Sequence, residues 1–133
     1  MIVKAALLLF RDNNGTKELL FCKPKGKPYF ILPGGKKEEA ETIDEALQRE
    51  LQEELGTQAS DVEKLGVIFG QTPDGRDMKM HLYSAELLGD PHPQAEIEEI
   101  LWLNKGEITN KVNLMTPMTL DHVLPFLATQ NIW

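Results

Sequence analysis

A single cysteine, Cys22, stands in the whole chain, so no internal disulfide can staple the fold. That scarcity fits a reducing, cytoplasmic setting. Long apolar runs are missing as well, and none approaches the roughly 18–20 residues that span a bilayer, so no membrane partner is expected. The first nine residues, MIVKAALLL, carry no signal-peptide cleavage pattern, and the run ends at Phe10-Arg11. The third absence is basic excess. With 21 acids against 14 bases the formal net charge is −7, the reverse of the positive footprint that nucleic-acid binding draws on. No internal repeat or low-complexity tract breaks the chain.

What is present is ordinary for one globular domain across residues 1–133: 41% apolar and 26% charged positions. Residues 2–10 form a nearly continuous apolar run, as a strand covered on both faces would. Asp12-Asn13-Asn14-Gly15 signals a turn, and residues 18–23 (ELLFCK) read as the return strand of a hairpin. Lys23 to Pro28, rich in proline and lysine, reads as a loop, and residues 29–32 (YFIL) as a short strand ended by Pro33-Gly34-Gly35. Thr42 stands three residues before Glu45, the spacing of a capping box, and Gly56 offers a left-handed stop, which predicts a helix over about 43–55. Further strands are expected at 62–70, 78–88 and 98–103. Thr116-Pro117 opens a C-terminal helix that Pro125 should kink or break. The class is α/β, a mixed sheet covered by helices.

The central helix breaks its own amphipathic pattern. At 100° per residue from Ile43, Leu47, Leu51 and Leu55 fall near roughly 40°, 80° and 120°, and Ala46 near roughly 300°. Glu54 and Glu50 land at roughly 20° and 340°, inside that apolar stripe, with Glu53 at its edge near roughly 280°. Spaced i, i+3 and i+4, the three carboxylates share one patch, where mutual repulsion and partial burial favour protonation unless a cation is present. A hard divalent ion such as Mg²⁺ or Mn²⁺ suits clustered carboxylate oxygens. It would also reconcile an acidic protein with an anionic substrate. The alternative reading is a solvated acidic face, or ion pairing of Glu50 with Arg49 or a lysine. Gly34-Gly35-Lys36, just ahead, lets backbone approach a ligand closely.

These residues resemble the Nudix box, G-x5-E-x7-R-E-U-x-E-E-x-G-U with U aliphatic: Gly35, Glu41, Arg49-Glu50-Leu51, Glu53-Glu54 and Gly56-Thr57. Thr57 departs from the aliphatic end, and Ala40 from a frequent glycine; neither removes a ligand. The resemblance implies the Nudix α/β/α sandwich and Mg²⁺- or Mn²⁺-dependent hydrolysis of a nucleoside diphosphate linked to another group. By position, Glu50, Glu53 and Glu54 correspond to metal ligands, with the Gly34 carbonyl, while Arg49 and Glu41 pair to hold helix and loop together. On the wheel Arg49 points away from the acids, near roughly 240°. Glu53 or Glu50 is the candidate base. Glu96, then Glu98 and Glu99, are candidates for an added ligand before Trp102. Lys23, Lys36 and Gly35 are candidates for phosphate contacts, and Tyr29, Phe30 and Phe69 for stacking or core. His81 and His92 lack metal-ligand spacing. The small-molecule partner implied is a nucleotide. A nucleoside triphosphate is favoured, an ADP-sugar or dinucleoside polyphosphate or a non-catalytic nucleotide-sensing domain being the alternatives.

Overall fold

The computed structural model describes residues 1–133. The apolar start does not form one strand. It breaks at Leu8-Leu9 into β1 (Ile2–Leu7) and β2 (Phe10–Asn13). The break moves the chain between two sheets: the Leu8 amide donates to the Tyr83 carbonyl at 2.8 Å, and the Leu9 carbonyl accepts from Leu20 at 3.0 Å. β2 turns back through Asn14 and Gly15, both at positive φ, into β3 (Thr16–Pro24), so the hairpin signal is realised.

β4 (Gly34–Lys36), α1 (Ile43–Leu55), β5 (Ala59–Gln71), β6 (Asp77–Leu87) and β7 (Ile97–Leu103) follow. One sheet runs β4-β1-β6-β5, with β1 and β6 parallel and the other neighbours antiparallel; the second runs β2-β3-β7. Strand alternation splits the interior into two cores. Ala5, Leu7, Leu20 and Tyr83 pack with Leu47, Leu51 and Leu55 of α1. Ala6, Leu19, Phe21, Met78 and Leu82 pack with Val123 and Leu127 near the C-terminus. Both faces are covered, which gives the helix–sheet–helix sandwich expected of the apolar first strand.

Two expectations need correction. Residues 29–32 make only isolated bridges, Cys22 to Ile31 and Phe30 to Met115, and the strand lies one step later in Gly34-Gly35-Lys36. Glycine is required there: Gly34 sits at φ 134°, and a Cβ on it would overlap the backbone of Ala5. The C-terminal helix is not simply kinked. A π-helical segment, Thr119–Val123, precedes α3 (Leu124–Thr129). Pro125 has no N–H to give and its ring crowds the carbonyl four residues back, so the turn before it widens. Gly66 and Gly70 of β5 leave room for Phe126, Met118 and His122, seating this helix on the sheet.

The box helix follows its caps. Thr42 Oγ1 accepts from the Glu45 amide at 3.1 Å, Glu45 Oε1 accepts from the Thr42 amide at 2.8 Å, and Gly56 closes the end at φ 71°. A second capping box, Asn104 with Glu107, starts the short helix α2 (Lys105–Thr109) that the sequence reading passed over. No helix is long and apolar enough to cross a membrane.

Candidate functional site

α1 and β4 meet edge to edge, and that contact builds the site. The Gly34 amide donates to Glu54 Oε1 at 2.9 Å. Gly35 lies so close to the Glu50 carboxyl group that a Cβ there would displace it. The two glycines therefore bring backbone against both carboxylates, a contact no larger residue would permit. Beyond them opens a polar cleft of about 800 Å³, lined by Lys4, Lys36, Glu50, Glu54, Tyr29 and Glu96 together with Thr72, Asp74 and Arg76 from the β5–β6 turn.

The electrostatics of the two acids differ from those of a solvated face. Burial pushes the Glu54 carboxyl up to about 8, against the lowering effect of the Gly34 amide, and the Glu50 charge adds to the rise. Burial also raises Glu50, with Arg49 pulling the other way. Glu54 has no cation within ion-pair distance. Glu53 is different: its side chain is 53% exposed, and it does not line the cleft.

Arg49 does not point away from the acids. Its Nε and Nη2 donate to both oxygens of Glu41, at 3.0 and 2.7 Å, and Nη2 donates also to the Lys36 carbonyl at 2.9 Å. This fork ties the loop after β4 to the helix. Nη1 meanwhile donates to Glu50 Oε1 at 2.9 Å and lies 3.4 Å from Glu53 Oε2. The wheel placed Cα positions, and the long arginine stem reaches round the helix from there. The guanidinium holds Glu41 down at about 2 and is itself held above its ordinary value by the acids around it.

Consequently the trio is not drawn into a ready-made cage: no three acid, histidine or cysteine side chains stand together as metal ligands. The donor set nevertheless fits a hard divalent cation. Glu54 is a half-buried carboxyl group with no ion-pair partner, Glu50 shares its cleft, and both present oxygen. A cation beside Glu54 would favour its ionised form and lower its pKa.

The other sequence candidates divide. Glu96 lines the cleft. Glu98 does not, since its Oε2 accepts from Lys23 Nζ at 3.0 Å; the same pair occupies the Lys23 ammonium. Glu99 is exposed opposite Lys23 in the β3–β7 ladder. Lys36 is exposed at the cleft, Phe30 is core, and Phe69 stands 57% exposed on β5. His81 is buried in β6 with Nδ1 unpartnered, and His92 is exposed. Lys4 and Arg76, both at the cleft, went unnoticed in the sequence. Lys4 left a signal: it is the one charge inside the apolar run IVKAALLLF.

The NUDIX domain family model matches residues 1–122. A Bacillus subtilis protein provisionally named an 8-oxo-dGTP diphosphatase is 31% identical over 97 residues, covering 71% of this chain and 63% of its own. A methanol dehydrogenase activator of Bacillus methanolicus is 27% identical over 129 residues, covering 97% of this chain and 64% of its own. The chain thus spans a little under two thirds of these curated relatives. A NUDIX hydrolase structure from Nitrosomonas europaea superposes with a TM-score of 0.77 at 20% identity, covering 96% of this chain and 89% of the other.

Proposed function

The chain belongs to the NUDIX family, and we propose that it hydrolyses the diphosphate linkage of nucleoside diphosphate derivatives, with nucleoside triphosphates as the substrates and monophosphate and pyrophosphate as the products. One observation carries the reading: the half-buried Glu54, with no ion-pair partner, beside the Gly34 amide and facing the same polar cleft as Glu50. Such a carboxylate is costly in a merely structural position and useful where a cation and a phosphate chain must meet. The name of the Bacillus subtilis relative supports a triphosphate.

A Mg²⁺ or Mn²⁺ ion held by Glu50, Glu53, Glu54 and the Gly34 carbonyl, with Glu96 as a further ligand, would neutralise phosphate oxygens and acidify water. The protein supplies the rest. Water forms a bond to one phosphorus as the bridging oxygen leaves with pyrophosphate, and Glu53 or Glu50 takes the proton released. Gly35 keeps the cleft wall low enough for the phosphate chain. Arg49 and Glu41 fix the end of β4 that carries Lys36, and Lys23, paired with Glu98 as it stands, would have to leave that partner to reach a phosphate.

Purified protein incubated with a panel of nucleoside triphosphates, ADP-ribose and dinucleoside polyphosphates, with Mg²⁺ or Mn²⁺, should release pyrophosphate from the triphosphates. Glu53→Gln and Glu54→Gln should each lower kcat/KM by about a thousandfold, roughly 4 kcal/mol of barrier, while circular dichroism stays native. Near-normal turnover in both variants would overturn the roles given to these acids. Turnover of ADP-ribose alone would overturn the triphosphate assignment.

A further inference from the structure

Lys4 and Lys36 stand directly opposite each other where β1 pairs antiparallel with β4. Residues in that relation project from the same face with Cβ atoms about 4.5–5.5 Å apart, and like charges so placed destabilise the ladder. Neither ammonium makes an ion pair or a hydrogen bond. Lys4 is half-buried, and burial lowers its pKa while the Glu54 and Glu50 charges oppose that shift. A lysine serving only as a counter-ion would be paired with Glu54, yet Glu54 accepts from the Gly34 amide instead. Both lysines line the cleft that holds Glu50 and Glu54.

We propose that Lys4 and Lys36 form a cross-strand clamp for phosphoryl oxygens, gripping the part of a phosphoanhydride that lies away from the carboxylates of α1. The proposal rests on the phosphoanhydride reading above and adds Lys4, which no motif position marks. The clamp explains why two like charges persist face to face: an anion between them turns a repulsion into two charge-assisted hydrogen bonds. It also explains how a protein of net charge −7 retains an anionic ligand, because the cations are gathered locally and one of them, Lys4, is half-buried.

The clamp predicts effects of opposite sign that a purely structural role cannot produce. Isothermal titration calorimetry would follow binding of imidodiphosphate, a non-hydrolysable pyrophosphate analogue, in saturating Mn²⁺, and thermal melts would follow the unliganded protein. Lys4→Met and Lys36→Met should each weaken imidodiphosphate about tenfold while leaving the unliganded Tm unchanged or higher. Lys4→Arg should stay within about threefold of wild type. If Lys4→Met fails to fold, Lys4→Gln carries the same expectation. Unchanged affinity in either single variant, or affinity lost only together with Tm, overturns the clamp. The two readings separate cleanly. Imidodiphosphate binding that depends on both lysines, in a protein that hydrolyses no nucleotide, sinks the function and spares the clamp; nucleotide hydrolysis with lysine-independent binding does the reverse.

Discussion

At the scale of single residues, Glu54 concentrates the conflict between folding and function. Its folded-state pKa of about 8 lies above the ordinary 4.5, so between those values the folded protein binds more protons than the unfolded chain. Stability therefore falls as pH rises through that window when no cation is present. Glu54→Gln removes the titration and keeps an oxygen to accept from the Gly34 amide. In the presence of a chelator the variant should be more stable than wild type at pH 8, by roughly 1–3 kcal/mol, and nearly equal to it at pH 4.5. Urea titrations at the two pH values measure the gap. A variant less stable than wild type at pH 8 would mean that the Lys4 charge and the Gly34 amide together outweigh the cost of burying the carboxylate.

At the scale of elements, the tether from α1 to the loop after β4 is the Arg49–Glu41 fork, and its pH dependence has the opposite sign. Glu41 is held at about 2 by Arg49, below its ordinary 4.5. Whatever the pair contributes is present above pH 4.5 and is lost as pH falls toward 2. Glu41→Gln should thus be less stable than wild type at neutral pH, and the difference should close on acidification across that range, as measured by thermal melts. Turnover should drop as well, because the Arg49 guanidinium that steadies the Lys36 carbonyl is freed. The helix and its caps were legible in the sequence, because a capping box and a glycine stop are local signals. The direction of Arg49 was not, because a side chain that long is steered by its partners across the loop rather than by its place on the wheel. The strand in Gly34-Gly35-Lys36 was hidden for a related reason. Glycine is a poor strand former, and only the open edge of β1 makes one of it. Pro125 marked a disturbance in the C-terminal helix, but the seat of that helix over Gly66 and Gly70 was hidden, because no local pattern connects those two positions to the C-terminus.

At the scale of the whole molecule, the two cores were foreshadowed by apolar runs, and the sandwich follows from covering both faces of the strands. The split into two sheets was not foreshadowed, since the Leu8-Leu9 break is written in hydrogen bonds to distant residues, Tyr83 and Leu20. The cleft lies where α1, β1, β4 and the β5–β6 turn come together, so a cation bound there would bear on several elements at once. Binding that favours the folded state stabilises it by about 2.7 kcal/mol at a hundredfold excess over Kd. For a chain of this size that amounts to a rise in Tm of roughly 10 °C. A bulk explanation competes: the protein carries a net charge of −7, and any added salt relieves its self-repulsion. The two separate experimentally, because screening depends on ionic strength and coordination on the ion. Differential scanning fluorimetry in millimolar Mn²⁺ should show the rise, NaCl of matched ionic strength should not, and Glu54→Gln should lose most of it. Equal shifts from Mn²⁺ and NaCl would leave the cleft an acidic pocket without a cation, and the proposed chemistry would fail with it.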